Sequence, residues 1–381
     1  IVMSSDNSYA PYLSVALLSL FTNANNEDSF NIYIFDGGIS RRNKRKLRSF
    51  VRKLGHSITF IDIDVERFKN TCPLKEESKH ITLPTYFRFS TASLLPHELE
   101  RVLYLDVDII VNSSIYDLYN VSLDEFYAAV VEDTLDCSIH AEKLGLEAKD
   151  NYFNAGIMLI NLNKWRLDNI EEKFFEDVSL IQNNIIFVDQ DVLNYSLRGK
   201  VRFMSFEWNL QQTAYHFTRS DLSPSDLQTA RDNPRIIHYS GHIKPWDKWF
   251  RCWHPNAHQF YKYWKLSPYR ASYYGLHLCR SLFKLGHASF GWRFEYIYLR
   301  KGKLKNLFDY KFYLEEYPDV LHSQIDPLLH YLKIGWKEGR NPSGFFNTDA
   351  YLRYNPDVKT IGINPFFHYL VYGMSENRIR G

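Results

Sequence analysis

The chain has 381 residues, more than one globular core usually holds, so two domains are expected. A hydrophobic share of 45%, a charged share of 24% and a net charge of +2 describe an ordinary globular protein and give no electrostatic case for a nucleic-acid partner. The excess is aromatic, with 27 Tyr, 27 Phe and 8 Trp, whose flat faces suit sugar stacking and core packing alike. No apolar run approaches the ~20 residues a membrane span needs, and no signal peptide is read. Cys72, Cys137, Cys252 and Cys279 form no metal or disulfide pattern, and so read as reduced thiols of a cytoplasmic protein. The sequons at Asn112, Asn120 and Asn194 are read as chance occurrences.

In chain order, Ile1–Met3 begins as a strand and Leu13–Phe21 carries an apolar helical face. Asn31–Phe35 is a strand, followed by a Gly37-Gly38 turn. A basic helix is expected from Ser40 to Leu54, its charges a solvated face. Strands follow at Ile58–Ile63, Val102–Val111, Tyr127–Val131 and Ala155–Ile160. This alternation predicts an α/β domain over residues 1–265, a mostly parallel sheet with helices on both faces. Such sheets bind ligands beyond the carboxyl ends of their strands.

From 266 to 381 the pattern changes to a helical add-on containing a tandem repeat. Residues of 308–340, among them Phe308, Tyr313, Pro318-Asp319, His330-Tyr331, Gly335 and Arg340, recur 38 positions later over 346–378. Each copy reads as a helix, a Pro-Asp turn, a loop and a second helix opened by Asp-Pro or Asn-Pro. The repeated His and Tyr are expected to be packing contacts rather than ligands.

The chemistry is most visible in Leu103-Tyr-Leu-Asp-Val-Asp-Ile-Ile-Val111. On an extended backbone, side chains alternate, so Asp106 and Asp108 point the same way. Two such carboxylates among apolar residues repel each other unless a divalent cation such as Mn²⁺ or Mg²⁺ joins them. The same cation can neutralise a diphosphate leaving group. His238, in Ile236-Ile-His-Tyr-Ser-Gly-His-Ile-Lys-Pro-Trp246, offers an imidazole nitrogen. In that segment Gly241 permits close backbone approach to a phosphate, and Lys244 supplies positive charge. Asn154 precedes a buried strand, Asp189-Gln190-Asp191 open a helix, and Ser4-Ser5-Asp6 end the first strand.

In this order and spacing, these segments resemble glycosyltransferase family 8 over residues 1–250. The resemblance implies a GT-A fold, a Rossmann-like α/β architecture, and a retaining, metal-dependent hexosyltransferase. It implies Asp106, Asp108 and His238 as Mn²⁺ ligands. Asp6 falls where the uracil is bonded, and Ser4 and Ser8 where base and ribose are contacted, although Ser8 replaces an Asn common there. Gly241 and Lys244 match diphosphate contacts, and Arg88 a basic residue near the donor phosphate and sugar. Asn154, Asp189, Gln190 and Asp133 match positions around the donor hexose. Val107 and Ala155, inside two of the motifs, complete the implied donor-binding set. Asp191 is read either as a direct contact or as a helix cap, and an Arg88–Asp133 salt bridge is the plain alternative to their site roles.

Retention calls for a carboxylate nucleophile or for attack from the leaving-group face. The resemblance puts Gln190 under the anomeric carbon, and an amide is a poor nucleophile, so front-face attack is expected, with Asp189 beside it. UDP-galactose is favoured over UDP-glucose as donor. The acceptor is expected to be a glycan, on a surface glycoprotein rather than on lipopolysaccharide or capsule. A self-glucosylating primer, a nucleotidyltransferase and a sugar-binding module derived from an inactive transferase are the competing readings. Tyr269–Lys305 would allow weak peripheral contact with the inner face of a membrane, with packing of the tail the simpler reading.

Overall fold

The computed structural model describes residues 1–73, 83–147, 150–215, 219, 221–240, 244–246, 254–278, 292–301, 307–323, 325–374 and 378–379. The chain forms two compact units, Ile1–Lys244 with His258–Arg270, and Pro245–Ala257 with Ala271–Gly381.

The first unit is built on a seven-stranded sheet. Its strands are β1 (Val2–Ser5), β2 (Asn31–Asp36), β3 (Ser57–Asp62), β4 (Arg101–Leu105), β6 (Ala128–Glu132), β7 (Phe153–Asn161) and β8 (Val201–Met204). They lie in the order β3-β2-β1-β4-β7-β6-β8. Every neighbouring pair is parallel except those made by β7, which runs against both β4 and β6. The sheet is therefore mostly parallel, as expected. Alternate residues feed two cores. Val102, Tyr104, Met158 and Ile160 enter one, while Leu103, Leu105, Ile157 and Leu159 enter the other. Both faces are covered, which explains the near-continuous apolar runs of β4 and β7.

The helices follow from their spacing. Leu13, Ala16, Leu17 and Leu20 bury one face of Ala10–Thr22. In Arg41–Lys53, opened by Ser40 accepting from the Asn43 N–H, only Leu47 and Val51 are buried, so the charges are indeed a solvated face. Asn194 is buried and hydrogen-bonded to Phe153, so its sequon is a chance match.

The expected strand Val102–Val111 is two strands in two sheets. β4 ends at Leu105. The chain steps across Asp106-Val107-Asp108, and β5 (Ile109–Val111) joins a small sheet with β9 (Leu210–Gln211) and β10 (Ile236–His238). The step is pinned by the Asp106 N–H on the Gly156 carbonyl at 2.8 Å and the Tyr239 N–H on the Asp108 carbonyl at 2.9 Å. Alternation survives the break. Val107 packs into the core, and the two carboxylates take the opposite side.

In the second unit both copies of the sequence repeat make the same contacts. Tyr313 Oη lies 3.0 Å from His330 Nδ1, and Tyr351 Oη lies 3.0 Å from His368 Nδ1. Arg340 bonds Asp319 at 2.9 Å, and Arg378 bonds Asp357 at 2.7 Å. The His and Tyr are thus packing contacts. The expected Pro-Asp turns are instead helix starts. Pro318 and Pro356 open Pro318–Ser323 and Pro356–Ile361, because a proline's missing N–H costs nothing in a first turn.

Candidate active site

The strand ends assemble one polar cluster. Asp106 and Asp108 leave β4, and His238 ends β10 opposite Ile109 of β5. The ligating atoms of Asp106, Asp108 and His238 lie within 4.8 Å of one another, with Nε2 of His238 3.4 Å from Asp108 Oδ1 and 3.9 Å from Asp106 Oδ2. They are the single such group of His, Cys, Asp or Glu among the described residues. Two carboxylate oxygens and one imidazole nitrogen are the donor set a Mn²⁺ or Mg²⁺ ion accepts. The space is kept by Gly156, where a Cβ would stand 2.3 Å from His238 Cε1 and 3.0 Å from Asp106 Oδ2.

The two carboxylates differ electrostatically. Burial pushes Asp106 above the usual carboxylate range, with Arg88 working against it and Asp108 adding to it. Burial also acts on Asp108, but Lys244, whose Nζ donates to Asp108 Oδ2 at 2.6 Å, and His238 hold it far below that range.

Arg88 is buried and gathers the next residues. Its Nη2 bonds Asp106 Oδ1 at 3.0 Å, its Nη1 donates to the Ala155 carbonyl, and its Nε lies 2.9 Å from Asp189 Oδ2. Its partners are Asp106 and Asp189, so the expected alternative of an Arg88–Asp133 bridge is replaced. The single Nε–H is aimed at the Thr85 carbonyl, which leaves Asp189 Oδ2 in ionic contact without a hydrogen bond. Thr85 donates to the other oxygen of Asp189 at 2.6 Å. Burial raises Asp189 to about 6.

Gln190 is fixed by an amide network. The Ala155 N–H donates to its Oε1 at 3.1 Å and Asn154 Nδ2 at 3.2 Å, while its Nε2 donates to Asp133 Oδ2 at 3.0 Å. Asp133 also accepts from Asn154 and from the Leu135 N–H. The turn delivering Asp189 and Gln190 places Val188 at φ +46°, unusual for a β-branched residue. Asp191 clamps that turn by accepting the Ile186 and Phe187 N–H groups at 2.6 and 2.7 Å, and its other oxygen takes His140 and Tyr152. Asp191 therefore serves as backbone scaffold.

At β1, Asp6 Oδ1 accepts from the Ser8 N–H, the Ser8 hydroxyl and the Tyr9 N–H, closing the turn into the first helix. Ser4 is buried at the strand end and Ser8 is exposed. Gly241 lies outside the described residues, as do Cys252 and Cys279. The side chains of Val107 and Ala155 are both buried. Both backbone polar groups of Ala155 are already bonded, to Arg88 and Gln190.

The profile of glycosyl transferase family 8 matches residues 1–250. The chain belongs to glycosyltransferase family 8. Among its relatives, the lipopolysaccharide 1,3-galactosyltransferase of Salmonella typhimurium is 33% identical over 236 residues, covering 59% of this chain and 66% of that one. A lipopolysaccharide 1,2-glucosyltransferase of Escherichia coli is 28% identical over 273 residues, covering 70% and 77%. The crystal structure of the galactosyltransferase LgtC with donor and acceptor sugar analogues superposes with a TM-score of 0.63 at 28% identity, over 71% of this chain and 99% of that one. The family 8 membership and this likeness make the protein a glycosyltransferase with the GT-A fold. No described helix is long and apolar enough to cross a membrane.

Three contributors escaped the sequence reading. Asn209, fully buried, lies 3.0 Å from His238 Nδ1 and donates to Asn154 at 2.9 Å. Thr85 holds Asp189, and Tyr104 donates to Asp106 at 3.2 Å beneath the Arg88 guanidinium. Thr85 stands three residues before Arg88, and Tyr104 inside the carboxylate motif. Asn209 had only its polarity among apolar neighbours to mark it.

Proposed function

We propose that this family 8 enzyme transfers a hexose, galactose in preference to glucose, from a UDP-sugar to an acceptor glycan with retention of anomeric configuration. The observation that carries the reading is the Asp106–Asp108–His238 cluster at the strand ends, with Lys244 beside it. Asp106, Asp108 and His238 would hold Mn²⁺ or Mg²⁺, which when bound neutralises charge on the leaving diphosphate. Lys244, paired with Asp108, would add a point charge on the same diphosphate, and Gly241 follows His238 closely enough in the chain to serve it. Ser4, Asp6 and Ser8 line the uridine end beyond β1.

Around the hexose, Asp189, held between Arg88 and Thr85, stands with Asp133 and Asn154 at the rim. Gln190 Oε1 already accepts two N–H groups, which leaves it little capacity as a nucleophile. The neighbouring Asp133 carboxylate is likewise engaged at both oxygens. Attack from the leaving-group face, with the departing phosphate taking the acceptor proton, is the route these residues support. A glycoprotein glycan is the acceptor we favour, with the enzyme in the cytoplasm and at most peripheral at the membrane's inner face. UDP-glucose is the second donor, in keeping with the glucosyltransferase among the relatives. A donor panel followed by NMR of the product anomer tests the proposal. An α-linked galactoside is expected; a β-linked product would overturn retention, and faster turnover of UDP-glucose would overturn the donor.

A further inference from the structure

The amide network between Gln190 and His238 carries a proton assignment that begins at a group with no ambiguity. The Gly156 N–H can only donate, and it points at Asn154 at 3.1 Å, so that atom of Asn154 is its carbonyl oxygen. The Asn209 atom 2.9 Å from the same oxygen must then be its NH₂. The remaining end of the Asn209 amide is therefore its carbonyl oxygen, 3.0 Å from His238 Nδ1. A carbonyl oxygen only accepts, so Nδ1 carries the proton. In a neutral imidazole the lone pair then lies on Nε2, the nitrogen that faces Asp108 and Asp106.

We propose that Asn209 is a positioning residue that locks His238 in the Nδ1–H tautomer and so presents Nε2 as the metal-ligating nitrogen. This rests on His238 being a ligand. The burial of Asn209 suits the role, since no water competes for the ring nitrogen. The same amide continues to Asn154, which bonds both Gln190 and Asp133. Asn209 thus joins the ring that faces the carboxylate pair to the residues around the hexose through side-chain hydrogen bonds alone, and a change at one end is felt at the other.

Two measurements test it. Long-range ¹H–¹⁵N NMR of the metal-free protein, labelled on histidine, reads the His238 tautomer directly and needs no variant. The Nδ1–H form is expected, and an Nε2–H form overturns the inference. Mn²⁺ affinity in the presence of UDP, followed by the EPR signal of free Mn²⁺, is then compared for wild type, Asn209→Leu, Asn209→Asp and His238→Ala. Asn209→Leu is expected to bind Mn²⁺ about 10- to 100-fold more weakly. Asn209→Asp, still an acceptor for Nδ1–H, is expected to stay within about threefold of wild type while raising the KM for the donor, because it no longer donates to Asn154. Weak binding by His238→Ala with unchanged binding by Asn209→Leu overturns the inference alone. Unchanged binding by His238→Ala overturns the ligand assignment, and the inference with it.

Discussion

Arg88 sets its Nη2 3.0 Å from Asp106 Oδ1, its own side chain almost wholly buried while that of Asp106 stays 26% exposed. The same guanidinium is 2.9 Å from Asp189, so among the described residues Arg88 is the cation shared by two acids that would otherwise repel. Removing it strands both. Arg88→Ala is expected to cost about 3–5 kcal/mol in denaturant unfolding. Arg88→Lys keeps a charge but loses the fork that reaches Asp106 and the Ala155 carbonyl together, so it should fold while losing on the order of 10- to 100-fold in turnover. Wild-type activity in Arg88→Lys would show that the fork is dispensable.

Gly156 guards the approach of His238 to Asp106 from the other side. Gly156→Ala puts a methyl group against the His238 ring and must move either that ring or β7. Turnover should fall roughly 100-fold for a displacement near 1 Å. Stability should fall by about 1–3 kcal/mol, the usual range for overpacking. Calorimetry beside a donor-turnover assay separates the two effects, and a variant with normal turnover would mean the ring position is not critical.

Asp189 gives a pH signature. Its folded pKa, raised to about 6 mainly by burial, exceeds the usual 3.8. Between those values the folded state binds the extra proton, so the contribution of Asp189 to stability is greatest below about pH 4 and is lost as pH rises toward 6. Wild type minus Asp189→Asn should therefore decline across that window, by up to about 3 kcal/mol. If Asp189 reads a sugar hydroxyl as an ionised acceptor, the donor KM should rise as pH falls through about 6. Asp189→Asn should lose that inflection.

In the second unit, Gly335 and Gly373 occupy matching places, each where a Cβ would lie 2.2 Å from a tyrosine hydroxyl, of Tyr313 and Tyr351 respectively. Those hydroxyls are held by His330 and His368. Alanine at either position is expected to lower the unfolding free energy by about 1–3 kcal/mol. Equal losses from the two substitutions are expected, and a loss confined to one would separate the copies energetically.

Much of this arrangement was legible in the residues themselves. The βα alternation, the apolar runs of β4 and β7 and the spacing of Asp106 from Asp108 are local patterns that period and polarity report. The break at Asp106 was not, because Leu103–Val111 stays apolar on both sides of it, and only the pairing of β5 with β10, over 120 residues away, divides the run. The ionic partner of Arg88 was missed for a related reason. Asp106, Asp133 and Asp189 all lie far from Arg88 in sequence, and the fold alone decides that Asp106 and Asp189 share its pocket. Asn209 shows the limit most plainly, since its role lies in which amide end faces which atom, and that is set by a backbone N–H at Gly156.

The central claim is metal-supported use of a UDP-hexose by the Asp106–Asp108–His238 cluster. It is tested most directly by UDP release from UDP-galactose with and without Mn²⁺, in wild type and Asp108→Asn. The account predicts release that requires Mn²⁺ in wild type and falls at least about 100-fold in the variant, with its fold intact. Release that ignores Mn²⁺, or that survives Asp108→Asn, would contradict it.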